Sequence, residues 1–166
     1  NREYILVFPF CSKKHQNNCS TVNMYQLVKK DLPLKKPMMT YGLCGCSSLI
    51  LIDKYYNRVI FGHHPLKNEV LKWIFENYYS SFENEYILIL KIPGRYCKDI
   101  NGKYVIKGDD EDYWKSNLGN LKNLKMVIES YNLNTLTGDK YNSSLYFKMI
   151  NENLFYTNNY GLWIKV

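Results

Sequence analysis

At 166 residues the chain is long enough to bury a core without staples, and it is expected to form one domain over residues 1–166. No run approaches the ~18 apolar residues that a membrane span requires, and "YILVFPF" near the start lacks the basic leader and cleavage site of a signal peptide. The net charge of +7, from 22 Lys+Arg against 15 Asp+Glu, raises nucleic-acid binding, yet Lys54, Lys67, Lys72, Lys103, Lys122 and Lys165 are scattered along the sequence. The chain also has no alanine and is crowded with Asn, Lys, Ile and Tyr, a bias that A/T-rich coding alone supplies. Neither nucleic acid nor membrane is therefore an expected partner.

Tyr4 to Phe8 reads as a first buried strand closed by Pro9, and Met24 to Val28 as a short second one. "DLPLKKP" is an extended connection, because Pro33 and Pro37 discourage helix. Ser47 to Ile52 ("SSLILI") is an apolar run of strand length, "DKYYN" a turn, and Arg58 to Phe61 the returning strand. Val70, Leu71, Ile74, Phe75 and Tyr78 recur at helical spacing, which predicts an amphipathic helix over Leu66 to Tyr79 with Pro65 near its start. "EYILILKI" (Glu85 to Ile92) is the clearest strand and is expected to end at Pro93-Gly94. Lys98 to Asp112 reads as a hairpin-like excursion ending in an acidic loop. Leu121, Leu124, Val127, Ile128 and Tyr131 predict a second helix over about Leu118 to Tyr131. The last thirty or so residues read as two or three short antiparallel strands, with turns at Asn151–Asn153 and Asn158–Gly161. The fold class that follows is α+β, a layered β sandwich of mixed or antiparallel strands with two helices on the outside.

The five cysteines, Cys11, Cys19, Cys44, Cys46 and Cys97, are odd in number and irregularly spaced, which reads as free thiols in a reducing compartment, cytoplasm or nucleus. The chain opens on Asn1 rather than Met and is read as a trimmed or processed piece. Chemistry concentrates at "TYGLCGCSSLILID" (Thr40 to Asp53) and "RVIFGHHP" (Arg58 to Pro65). If the two apolar runs pair through the tight turn, Cys46 at one end lies beside His63 or His64 at the other. Adjacent side chains of an extended strand face opposite ways, so only one histidine can meet the thiol. A nucleophilic cysteine needs such a base, since the free thiol, pKa ~8.5, is mostly protonated at neutral pH. Gly45 leaves room for backbone N–H groups to point at a reacting oxygen. Cys44, Cys46, His63 and His64 can also be imagined around zinc, although Cys-x-Cys and His-His are poor chelating pairs. A third reading makes the cysteines small buried hydrophobes.

Thr40-Tyr41-Gly42-Leu43-x-Gly45-Cys46, followed by an apolar strand to Asp53, resembles the signature of the bacterial chemoreceptor glutamine deamidases (the CheD family). That signature runs Thr-x-Gly-Leu-Gly-Ser-Cys, an apolar strand ending in Asp, and a Gly-rich return strand ending in His. Thr40 stands six residues before Cys46, Asp53 seven after it and His63 seventeen after it, the family's spacing without a gap. Fainter echoes extend from residue 38 to 157, among them Leu118-Gly119-x-x-x-Asn123. Cys44-Gly45 replaces the family's Gly-Ser, the glycine pair before the histidine is absent, and "PGRYC" replaces its Gly-Gly-Ala.

The resemblance implies a cysteine-dependent protein-glutamine amidohydrolase that turns Gln into Glu on a partner protein. Cys46 would be the nucleophile, His63 the base, and Thr40 the residue that orients the imidazole. The backbone N–H groups of Gly45 and Cys46 would hold the oxyanion, and no metal or organic cofactor would be needed. It also implies a sandwich fold shared with toxins that deamidate host GTPases, and the base composition suggests a viral or pathogen effector. His64 becomes the base if one residue is inserted in the "DKYYN" turn; the histidine not used should then point away.

Overall fold

The structure, a computed structural model, describes residues 4–6, 19–81, 83–133, 144–158 and 162–166. The described residues form twelve strands, β1 (Tyr4–Leu6), β2 (Ser20–Thr21), β3 (Gln26–Asp31), β4 (Met38–Thr40), β5 (Ser47–Asp53), β6 (Arg58–His64), β7 (Tyr86–Lys98), β8 (Tyr104–Gly108), β9 (Leu124–Asn132), β10 (Leu145–Ile150), β11 (Asn153–Thr157) and β12 (Leu162–Lys165), and two helices, α1 (Lys67–Asn77) and α2 (Glu111–Leu118). One mixed sheet runs β1-β12-β11-β10-β4-β2; the other runs β3-β6-β5-β7-β8, with β9 also paired to β7. This is the expected α+β class.

The alternation along β5 dictates the layering. Ile50 and Ile52 turn to one side, where they join Phe61, Met38, Leu145 and Phe147 in the core between the sheets. Leu49 and Leu51 turn to the other, under Val70 and Ile74 of α1 and Trp114 and Leu118 of α2. Both faces of the central strands are thus buried, which explains why β5 and the start of β7 read as continuous apolar runs rather than alternating ones.

The β5–β6 hairpin forms as expected, and Asp53 is what shapes it. Its buried Oδ1 accepts the backbone N–H groups of Tyr55 and Tyr56, each at 3.1 Å, and its Oδ2 faces Arg58 Nε at 3.5 Å. Asn57 completes the turn at φ 50°, a conformation asparagine tolerates well.

Two expectations are corrected. The strand begun at Tyr86 does not stop at Pro93-Gly94 but continues to Lys98. Pro93 lacks an N–H yet still accepts from Asp109 N–H at 3.0 Å, and at Gly94 a side chain would meet the Lys107 carbonyl at 2.5 Å. The second helix lies earlier than predicted: α2 is Glu111–Leu118, the supposed acidic loop supplies its first turn, and Leu124 to Asn132 is a strand parallel to β7. Its apolar residues fit both periods. Leu124, Met126 and Ile128 pack toward the helices and Val127 toward the other sheet, which is strand alternation. Of the first predicted strand, residues 7–8 fall outside the described residues, as does most of the predicted Asn158–Gly161 turn.

Asp53 matches the signature but serves the hairpin, at the end of β5 away from Cys46. Asp53→Ala should cost on the order of 1.5–3 kcal/mol in urea unfolding, as hydrogen bonds to a charged group do, and leave the rate of Cys46 alkylation unchanged.

Candidate active site

The register of the second sheet assembles a polar row at one end of an otherwise apolar surface. Gln26, His63, Ser48, Lys91 and Glu129 stand opposite one another across β3, β6, β5, β7 and β9. The next row inward, Val28, Phe61, Ile50, Ile89 and Val127, is wholly apolar. Residues directly opposite in a sheet share a face, so the His63 side chain joins Ser48 and Ile50 on the side turned toward the other sheet. Cys46, two residues before Ser48, keeps the same parity just ahead of β5.

Thr40 reaches this row from the opposing sheet. Its Oγ1 lies 2.7 Å from His63 Nδ1 and 2.7 Å from the carbonyl oxygen of Val22. A carbonyl only accepts, so the single hydroxyl proton goes to Val22, and His63 Nδ1–H must donate to Thr40. Neutral His63 therefore carries its proton on Nδ1 and a lone pair on Nε2. Nε2 is buried and has no hydrogen-bond partner among the described residues. Burial, and secondarily the nearby His64, pushes the His63 pKa below its ordinary value, so the imidazole is held neutral.

His64 faces the other way. Its Nδ1 accepts the Leu66 backbone N–H at 2.9 Å, and its ring sits edge-on to Tyr25 and Trp73 at 5.1 and 5.2 Å. Only His63 is turned to the Thr40 side. The four residues of the zinc reading are thus divided between two faces of the sheet, and among the described residues no three His, Cys, Asp or Glu side chains gather as a metal site.

Cys46 is buried, and burial raises its pKa above the ordinary value; the Cys44 backbone N–H, directed at the sulfur, pulls it partly back, while the neighbouring Cys44 thiol adds to the rise. At rest the thiol and the imidazole are both uncharged, and no hydrogen bond joins them: the thiol turns to Met24 and His63 Nε2 has no partner among the described residues. The thiol donates to Met24 Sδ at 3.7 Å. Met24 is held there by a turn in which Tyr25 adopts φ 71°, an uncommon conformation for an aromatic residue, with its N–H bonded to the His63 carbonyl at 2.7 Å. This turn caps the sulfur.

The oxyanion expectation needs a correction. Gly45, at φ 91°, shapes the loop as anticipated, but its N–H donates to the Tyr131 hydroxyl at 2.8 Å and is already committed. The same hydroxyl donates to the Cys46 carbonyl at 2.7 Å. Tyr131 thus pins both sides of the nucleophile loop, and burial raises its pKa well above that of free tyrosine. Sequence reasoning missed Tyr131 and Met24 because each meets the loop across a long sequence separation. The thiol inventory is corrected as well: Cys44, Cys46 and Cys97 are free, but Cys19 is disulfide-bonded. Cys11 lies outside the described residues. No protein-family model and no curated protein matches the chain.

With its pKa raised by burial, Cys46 should be alkylated slowly at neutral pH and faster as the pH rises, whereas exposed Cys44 should be labelled first. Met24→Ala should uncover the sulfur and speed its labelling. Tyr131→Phe removes both loop hydrogen bonds and should lower stability by about 1–3 kcal/mol; a Cys46 labelling profile unchanged by it would show that the loop does not depend on that hydroxyl.

Proposed function

We propose that this protein is a cysteine-dependent amidohydrolase that deamidates glutamine side chains on a partner protein, with Cys46 as nucleophile, His63 as base and Thr40 as the residue that orients the base. The observation that carries the reading is the Thr40–His63 hydrogen bond, which leaves a buried Nε2 lone pair that no described residue, Cys46 included, takes up at rest. Such a constellation of nucleophile, base and orienting group suits acyl transfer. The resemblance of Thr40 to Asp53 to the chemoreceptor deamidases supplies the choice of glutamine.

In the proposed reaction Met24 moves aside, Cys46 Sγ attacks the amide carbon, and its proton passes to His63 Nε2. The oxyanion collapses as His63 returns the proton to the leaving nitrogen, releasing ammonia and leaving a thioester. Water, deprotonated by His63, hydrolyses the thioester to the carboxylate and restores the thiol. A neutral imidazole with a free Nε2 is the form this cycle begins from. The pH dependence follows: as pH falls through the lowered His63 pKa the base is protonated and the rate is lost, so the acid limb should lie below about pH 6.5, the free-histidine value.

No described helix is long and apolar enough to cross a membrane. The cytoplasmic setting expected from free thiols sits against the disulfide at Cys19, since such bonds persist in oxidising surroundings. A second reading, a binding module that keeps the site but not the chemistry, is favoured by the Met24 cap and by the commitment of the Gly45 N–H.

Intact-mass analysis of glutamine-bearing proteins incubated with the chain separates the two. The deamidase should add about 1 Da per modified site, with ammonia released, and Cys46→Ser should abolish both. His63→Ala should slow turnover on the order of 10²-fold or more, and His64→Ala should leave the site chemistry nearly intact. An ordered site with no mass gain on any protein would leave the binding module.

A further inference from the structure

The polar row at the Cys46 end of the sheet continues into a feature that the chemistry does not use. β5 pairs with β7 only as far as Ser48 opposite Lys91, yet β7 runs on to Lys98 and turns back as β8. The hairpin spans roughly 15 Å beyond Gly94. It rises beside the candidate nucleophile: Tyr131, whose hydroxyl holds Gly45 and Cys46, stands opposite Pro93, two residues before the hairpin departs at Arg95.

The hairpin is exposed on both faces. Tyr96, Ile100, Tyr104 and Val105 all present apolar surface to solvent, Ile100 with none of it covered. At the same end of the sheet, Met24, Tyr25 and Tyr41 are exposed around the site. Exposed apolar side chains grouped on one hairpin mark an interaction site rather than scattered exposure. Its charge is one-sided. Between Arg95 and Lys107 stand four cations, Arg95, Lys98, Lys103 and Lys107, against the single carboxylate Asp99. Asp99 Oδ1 accepts the backbone N–H groups of Asn101 and Lys103 and so shapes the tip. Of the four acidic residues that follow the hairpin, Asp109 pairs with Arg95 and Asp110 with Lys67 at its root, and Glu111 and Asp112 lie in the first turn of α2. With Arg95 paired to Asp109, the arm keeps Lys98, Lys103 and Lys107 against Asp99.

We propose that the β7–β8 arm is the docking element for the protein substrate, and that it takes a segment rich in Asp and Glu with interspersed apolar side chains, steering the target amide toward Cys46. The substrate role rests on the deamidase reading; the docking of an acidic segment does not. Complementary charge orients such a partner and speeds its encounter, while the tyrosines and Ile100 supply the apolar contact that salt does not screen.

The test uses fluorescence anisotropy with the intact chain and three labelled probes: an acetylated Glu/Asp-rich peptide containing leucine, tyrosine and one glutamine, its counterpart with lysine at every acidic position, and a thymidine oligonucleotide. The acidic peptide should bind best and weaken about tenfold between about 50 and 300 mM salt. The combined variant Lys98→Glu, Lys103→Glu should weaken it at least about tenfold further, and Ile100→Ser should weaken it without changing the salt dependence. Neither variant should alter Cys46 alkylation, which checks that the fold and site are intact. Tighter binding of the oligonucleotide, equal binding of the acidic and basic peptides, or arm-dependent self-association in sedimentation would overturn the inference. The deamidase reading fails separately: arm-dependent binding of the acidic peptide with no ammonia released upholds the arm, whereas ammonia released equally well by the arm variants overturns it.

Discussion

One hydroxyl proton organises the candidate site. Thr40 has a single proton to give, and Val22, which can only accept, takes it. The imidazole of His63 must then donate through Nδ1, and its other nitrogen is left as a lone pair in a buried setting. This contact crosses from one sheet to the other, so it exists only while the sandwich is packed. Met38, next to Thr40 on the same face, and Phe61, next to His63 on its face, lie in the shared core that sets the spacing. The apolar interior thus fixes a tautomer. The same burial keeps His63 neutral and Cys46 protonated, so both groups are uncharged at rest.

The parts of this arrangement that are local in sequence were legible. Ser47 to His64 is a run, a turn and a return, and once that hairpin is accepted, strand parity separates His63 from His64. Thr40 and Cys46 could be named from the signature they resemble. What was not legible is what arrives from elsewhere in the chain. Tyr131 belongs to a segment whose apolar spacing fits helix and strand alike, and only the pairing of Leu124–Asn132 with β7 decides between them. Met24 looked like part of a strand, yet it sits in the turn before β3, where the left-handed Tyr25 aims it at the sulfur. Asp53 was legible as a motif residue, but its work is local, holding the turn that gives β5 and β6 their register.

The arm and the cap act on opposite sides of one surface. Met24 covers the thiol from the β3 side, while the basic hairpin stands on the β7 side, with Gly45 and Cys46 between them, tied to Tyr131. A capped, uncharged thiol is spared adventitious alkylation and oxidation, which attack thiolates.

The central claim is the protonation pattern of His63, and nitrogen-15 NMR of the imidazole reads it without a substrate. At neutral pH the account predicts a neutral ring protonated at Nδ1, with Nε2 bare, titrating below the free-histidine pKa of about 6.5, and losing this preference in Thr40→Val. A ring protonated at Nε2, or an imidazolium at neutral pH, would contradict the account.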